Sequence, residues 1–218
     1  MMKKVVLIIL TIFLGAQRLY GAVGCTLNDP DRDIKRLFPK ATNYKTEFIS
    51  IEEQGGKKLA EEIEAKLKDK LEPVYESLDV PYAYYAILKG KEVIGYVHGV
   101  NQKGTYGGMQ LILATDPNGV IIEFYYQKLT SPESKKFRDK NFTRQFVGLS
   151  LVEFYTEELK NKIKDPSENS ADDFLATLRG IKKNLILHDE FNLNNKYDKY
   201  FYVDKNEREG KNEDEKHD

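Results

Sequence analysis

Five segments of the chain alternate apolar and polar positions in the manner of β-strands. The four that follow one another closely are YAYYAILK (82–89), EVIGYVHGV (92–100), MQLILAT (109–115) and VIIEFYYQ (120–127), and YKTEFISI (44–51) precedes them. Gly90 separates the first pair of these four runs, and the turn DPNG (116–119) separates the last pair. Both gaps have hairpin length and turn-forming residues. The pattern predicts a four-stranded antiparallel meander over residues 82–130.

Apolar residues spaced three or four apart predict helices before this meander. LNDPDRDIKRLFP (27–39) predicts a short helix capped by Asn28 or Asp29, with Pro30 in its first turn. SIEE (50–53) has the form of a capping box, but the two glycines that follow leave the start of the next helix open. That helix is amphipathic and bent or interrupted at Pro73, and its apolar positions are Leu59, Ile63, Leu67, Leu71, Val74 and Leu78.

Helical spacing returns after the meander. SPESKKF and NFTRQFVGLSLVEFY predict short helices. DFLATLRGIKKNLIL then predicts a longer helix with Phe174, Leu178, Ile181 and Leu185 on one face. The fold class is therefore α+β, an antiparallel meander sheet covered by helices.

The chain divides into four predicted segments. Residues 1–24 form a leader, 25–81 an N-terminal helical extension, 82–191 the main domain, and 192–218 a charged tail that ends in DKNEREGKNEDEKHD. The tail lacks an apolar pattern, which predicts disorder.

The leader has the features of a signal peptide. Lys3 and Lys4 precede an apolar run of 12 residues from Val5 to Ala16, which is short for a membrane span. Ala22 and Gly24 fit the small positions of a cleavage site. We expect an extracytoplasmic protein, periplasmic or anchored on the outer side of a membrane; an uncleaved N-terminal anchor is the alternative interpretation of the leader.

Cys25 is the only cysteine, so no disulfide can form within the chain. Its position directly after AVG resembles a bacterial lipoprotein box, although Ala22 stands where leucine is usual. Membrane attachment through Cys25 and an ordinary free cysteine both remain open.

Composition excludes several other functions. Lys and Arg total 34 against 35 Asp and Glu, a balance that argues against nucleic acid as a partner. The three histidines, including His98 and His188, show no metal-binding spacing, so no metal site is expected. No nucleophile elbow or phosphate-binding loop is present, and no catalytic residue is predicted.

One group of candidate ligand-binding residues lies at and after the ends of the last hairpin. Gly107 and Gly108 allow the backbone to approach a flat ligand closely, Thr130 and Ser131 present hydroxyls at a proline corner, and Gln145 can address the edge of a heterocycle. The alternative interpretation is that these glycines only shape the hairpin and that no ligand binds there.

The order of these segments resembles a family. TYGGMQLILATDPNGVII (105–122), TSPES (130–134), FTRQFVG (142–148) and FLAT (174–177) follow one another as in the FMN-binding domain of the small flavin-bearing subunits of sodium-pumping quinone reductases and Rnf-type electron-transport complexes. The resemblance covers about residues 82–190. It implies FMN held by Gly107, Gly108, Thr130, Ser131, Gln145 and Thr177, with a redox partner protein or a membrane electron-transport complex as partner.

Two segments depart from that family. Glu133 stands where a glycine follows the proline of the corner, and FLAT replaces the SGAT motif whose threonine carries FMN through a phosphoester bond. Helical Thr177 is expected to hydrogen-bond the carbonyl of Asp173, so FMN is expected to bind without a covalent bond. The sequence therefore leaves two functions open. The first is an FMN-binding electron-transfer or redox module, and the alternative is a non-redox binding or accessory module that has lost the flavin.

Overall fold

The computed structural model describes residues 25–156 and 159–202. Five antiparallel strands form one sheet in sequence order, β1-β2-β3-β4-β5. The strands are β1 (Asn43–Ile49), β2 (Tyr82–Lys89), β3 (Glu92–Gly104), β4 (Gly107–Thr115) and β5 (Ile121–Lys128). The predicted meander is confirmed, and the first alternating segment adds β1 to its edge beside β2.

Helices cover the sheet, as the α+β prediction requires. They are α1 (Pro30–Leu37), α2 (Ile51–Gln54), α3 (Gly56–Leu67), α4 (Ser134–Phe137), α5 (Lys140–Thr143), a 3₁₀ turn (Arg144–Phe146), α6 (Leu151–Tyr155), α7 (Leu159–Lys162) and α8 (Ala171–Asn192). The predicted caps form, since the Asp29 side chain accepts from the Arg32 N–H and Ser50 completes a capping box with Glu53. Within the described residues, no helix is long and apolar enough to cross a bilayer.

The sheet buries side chains on both faces. In β2, Tyr82 and Tyr84 join the core under α3 and α8, and Ala83, Tyr85 and Ile87 join a smaller core under α1. Alternate residues of a strand point to opposite faces, so both faces need a helical cover. Helices within the predicted extension 25–81 provide much of this cover, and β1 of the same segment joins the sheet itself. The boundary at residue 81 therefore does not separate two packing units.

The amphipathic helix that the sequence predicts, bent or interrupted at Pro73, ends before that proline, so its prediction beyond Leu67 is wrong. Helix α3 ends at Leu67, because Lys68 takes a left-handed conformation with φ of 60° and the Asp69 N–H bonds back to the Glu64 carbonyl at 3.2 Å. The residues after it form a loop, which leaves Val74 73% exposed. The apolar spacing of Leu71, Val74 and Leu78 was therefore not helical.

The first residues of the predicted disordered tail are ordered. The Tyr197 hydroxyl donates to the Asn118 carbonyl at 2.7 Å, and Asp198 pairs with Lys66 at 2.6 Å. Residues 193–202 thus pack against the fold, which corrects the boundary at 192. The predicted leader, 1–24, and the remainder of the tail, 203–218, lie outside the described residues.

Candidate functional site

The tip of the β3–β4 hairpin, residues 104–107, meets the first turn of α8. The Thr105 N–H donates to Asp173 Oδ1 at 2.9 Å. Gly107 has a φ of +136°, which favours glycine, and a Cβ there would lie 3.6 Å from Cβ of Thr130. The glycine-lined end of the meander therefore faces the helix that carries Thr177, as the sequence predicts.

Helix α8 turns a polar stripe towards the sheet. Its members recur at helical spacing and are all buried: Asp173, Thr177, Gly180, Asn184 and His188. Each of the five contacts one residue of the sheet or of a hairpin tip. The pairs are Asp173 with Thr105, Thr177 with Tyr126, Gly180 with Leu111, Asn184 with His98, and His188 with Thr115. A Cβ at position 180 would lie 2.1 Å from the Leu111 side chain, so glycine allows α8 to approach the sheet closely.

Thr177 is fully buried in this stripe. Its hydroxyl donates to the Asp173 carbonyl at 2.8 Å, as expected from the sequence. The Tyr126 hydroxyl lies 2.8 Å from the same oxygen and must be the donor, because the only proton of Thr177 is already given to Asp173. A phosphoester on this oxygen would remove the bond to Asp173 and would need space in a site with 0% exposure.

Glu133, which stands where the family that the sequence resembles has glycine, occupies an anion position before α8. Its carboxylate accepts from the Glu168 N–H at 3.1 Å and the Asn169 N–H at 2.8 Å, and it pairs with Lys136 at 2.7 Å. The Lys136 ammonium and these backbone donors lower the pKa of Glu133 to about 2. Backbone N–H groups that could receive a phosphate are therefore bonded to a carboxylate of the chain itself.

Gly108 lies under the loop that follows α3. A Cβ at position 108 would lie 2.9 Å from the Tyr75 ring. The neighbouring residue, Glu76, has a fully buried carboxylate that bonds Arg179 at 2.8 Å and also pairs with Lys183 of α8. The loop 68–81 is thus held against α8, and it covers the backbone surface that the sequence assigned to a ligand.

Burial shifts the pKa values of this charged cluster. Burial lowers the pKa of the Lys183 ammonium to about 8 even though Glu76 opposes the shift. Burial alone would raise the pKa of the Glu76 carboxyl, but Lys183 and Arg179 outweigh it and hold this pKa below its ordinary value. The cluster is therefore a buried ion pair that joins a loop to a helix.

The other two predicted ligands have local partners. Ser131 Oγ accepts from the Glu133 N–H at 3.3 Å. Gln145 Oε1 accepts from the Lys164 N–H at 2.8 Å, so this amide joins the 3₁₀ turn to the segment before α8. Gln145 lines a groove of about 490 Å³ that contains none of the other five predicted ligands.

His98 and His188 stack within the core, with their ring centroids 4.2 Å apart. His98 Nδ1 lies 2.6 Å from Asn184 Oδ1, which can only accept, so the histidine nitrogen is the donor. Burial lowers the pKa of His98 to about 4 and that of His188 well below its ordinary value. Both rings are therefore neutral at pH 7, and no group of three metal-ligating side chains exists among the described residues.

The predicted ligands do not fit FMN as they are arranged here. The Thr177 oxygen is buried and bonded twice, Tyr75 covers Gly108, and Gln145 is bonded to Lys164. A phosphate beside Thr177 would also approach the buried Asp173, whose Oδ2 has no hydrogen-bond partner among the described residues. Gly107 and Thr130 remain adjacent to one another, with Gly107 partly buried and Thr130 exposed.

Sequence reasoning missed the residues that close this region: Tyr75, Glu76 and Lys183. One signal was available in α8, because Asp173, Thr177, Asn184 and His188 recur at helical spacing and therefore share one face of the helix. Their burial does not follow from that spacing. Nothing in the sequence pairs Glu76 with a helix more than 100 residues away. Neither a scan against models of protein families nor a search of curated proteins finds a match for this chain.

Proposed function

We propose that this protein is an extracytoplasmic binding module that retains an antiparallel meander covered by helices and carries no FMN. The observation that supports this most strongly is the Thr177 hydroxyl, which is 0% exposed and engaged by Asp173 and Tyr126. A residue in this state offers no nucleophilic oxygen to a flavin-transferring enzyme.

The charges around α8 support the same function. Glu133 is bonded to the N–H groups before the helix, and Asp173 lies in its first turn. A flavin phosphate would have to approach both carboxylates, and it would have to displace Glu133 from its backbone donors. Lys136 pairs with Glu133, but no cation pairs with Asp173 among the described residues, so a phosphate beside Asp173 would meet an uncompensated like charge.

Flavin content tests the proposal directly. We expect the protein purified from its native compartment to lack flavin absorbance, and we expect added FMN to show no saturable change in fluorescence. The same measurements on Thr177→Ala and Thr177→Ser should match those on the parent protein, since the hydroxyl would serve the fold and not a cofactor.

Two outcomes would contradict the proposal and favour the redox module. Stoichiometric flavin that stays with the denatured chain, persists in Thr177→Ser and is lost in Thr177→Ala would establish covalent attachment. Stoichiometric flavin that heat or acid releases into the filtrate would establish non-covalent binding.

A further inference from the structure

Strand β5 lies at an edge of the sheet and has few outer partners. Ile121 bonds through both its backbone groups to residues 148 and 149, at 2.8 Å each, and the Tyr126 carbonyl accepts from Arg138 at 2.5 Å. Among the described residues, nothing outside the sheet hydrogen-bonds to the backbone of 122–125. An open strand edge of this kind can pair with another extended chain.

A groove of about 1020 Å³ runs beside this open edge. Five consecutive residues of β5, 122–126, line it, opposite the segment 138–147. Successive side chains of a strand point to opposite faces, so a groove that touches all five follows the edge of the strand and not one face of the sheet. Its length suits an extended segment.

The groove is strongly cationic although the chain as a whole is nearly neutral. Arg36, Arg138, Lys140 and Arg144 line it, against a single carboxylate, Glu123. Glu123 is paired with Arg36. The other three cations have no carboxylate partner among the described residues, so they are available to an acidic ligand.

Apolar surface accompanies these charges. Ile122 is 39% exposed and Val147 is 47% exposed, and both line the groove. The Arg36 guanidinium lies over the Tyr125 ring at 5.0 Å from its centroid, so this part of the groove wall combines a cation with an aromatic face. A ligand that matched this surface would combine acidic groups with apolar side chains.

We propose that β5 is the docking edge for an acidic, extended segment of a partner protein. The segment adds a sixth strand beside residues 122–125, its carboxylates meet Arg138, Lys140 and Arg144, and its apolar side chains lie against Ile122 and Val147. A second copy of this chain does not fit, because its own cations would face these at the same edge. Main-chain pairing supplies affinity and the side chains supply specificity.

This inference gives a partner class to the binding role proposed above, and it uses none of the six predicted flavin ligands. A protein that carries flavin and also binds an acidic strand would overturn the proposed function and leave the docking edge intact. A flavin-free protein that fails to bind such a strand would overturn the docking edge and leave the absence of FMN intact.

The test uses the full chain and a labelled peptide that alternates Asp or Glu with Val over eight residues, followed by fluorescence anisotropy. We expect saturable binding that weakens with salt and falls about ten-fold in the double variant Lys140→Glu, Arg144→Glu. The matched control reverses Lys57 and Lys58, which are exposed on α3 away from the groove, and should bind as the parent does.

A second peptide separates strand pairing from simple charge attraction. It has the same sequence with every second backbone nitrogen methylated, which removes donors and leaves the charges unchanged. We expect it to bind at least ten-fold more weakly. Equal binding of both peptides, equal binding by the Lys140→Glu, Arg144→Glu variant, or full competition by FMN or inorganic phosphate would overturn the docking edge.

Discussion

Substitution of Glu76 by glutamine tests whether the buried ion pair holds the loop 68–81 in place. In the native protein the side chains of Glu76 and Lys183 are both 0% exposed. Glutamine has nearly the same shape but carries no charge, so Lys183 would become a buried cation without a carboxylate. Besides the oxygen of the introduced amide, its acceptors would be the Asn101 carbonyl at 2.6 Å and the Gln102 amide at 3.4 Å.

The expected cost follows from this arrangement. Removal of one partner from a buried ion pair costs about 3–5 kcal/mol. This cost has an upper limit, because Lys183 can lose its proton and become neutral. Neutralising an ordinary lysine at pH 7 costs about 5 kcal/mol, which is about 1.36 kcal/mol for each pH unit between 7 and its pKa of about 10.4. Since the amide oxygen of the introduced glutamine can still accept one hydrogen bond, we expect about 3 kcal/mol, or a fall in Tm of about 10 °C.

Urea unfolding and hydrogen exchange measure the two consequences. The free energy of unfolding should fall by about 3 kcal/mol in Glu76→Gln, and the amides of 68–81 should exchange faster than those of β3 and β4. Lys183→Met should cost less, because Glu76 keeps Arg179 at 2.8 Å. Glu61→Gln is the matched control, since its exposed pair with Lys57 is worth less than about 0.5 kcal/mol. A loss under about 1 kcal/mol in Glu76→Gln would refute the argument.

Two further predictions concern buried groups that titrate. Because the pKa of His98 is lowered to about 4, unfolded chains bind a proton below pH 6.5 that folded chains do not, so the free energy of unfolding falls on acidification, by about 3 kcal/mol for His98 between pH 6.5 and 4. Burial raises the pKa of Asp189 to about 6, so the folded protein binds a proton there on acidification and the free energy of unfolding rises. The measurement that isolates His98 is therefore the difference between the parent and His98→Gln in the slope of unfolding free energy against pH. Equal slopes would contradict the prediction for His98. Burial raises the pKa of the Cys25 thiol to about 12 and leaves the residue 1% exposed, so we expect no reaction with an aromatic disulfide reagent at pH 8 until urea is added. Full reaction of the native protein would show that Cys25 is accessible, and no reaction after unfolding would indicate a blocked sulfur.

The sequence predicts the strands well, for a physical reason. Alternation and turn residues are local signals, and two of the three hairpins of the predicted meander carry such turns, at Gly90 and at residues 116–119. The sheet order then follows from short connections between neighbours. Strand β1 has the same alternation, but residues 50–81 separate it from β2, so its pairing was not predictable from local pattern.

The end of α3 shows where periodicity fails. Leu67, Leu71, Val74 and Leu78 continue a helical spacing, and Pro73 is the only obvious breaker. The helix ends six residues earlier because Glu64 caps the following loop, accepting from the Leu71 N–H at 3.1 Å. A side-chain cap of this kind forms only when the loop folds back towards the helix. The tertiary contacts of Glu76 determine the path of that loop, so the cap is not predictable from local sequence.

The long helix shows a different limit. The sequence predicts its apolar face, of which Ile181 and Leu185 are fully buried. The face that contacts the sheet carries Thr177, Asn184 and His188, and a polar residue in a helix is ordinarily interpreted as solvent-facing. Each of these side chains is acceptable in the core only because one particular strand residue bonds it, and that match is a property of the assembled fold.

The departures from the FMN-binding pattern reinforce one another through the start of α8. Leucine at 175, where the family has glycine, favours the helix by about 1 kcal/mol, and α8 accordingly begins at Ala171, six residues before Thr177. Thr177 thereby lies in the second turn, facing Tyr126 and not the solvent. Phe174 packs near Phe142, with ring centroids 6.2 Å apart, where a serine would leave space. Glu133 also bonds the N–H groups before the helix, so reversal of any one of these three residues would leave the other two in place.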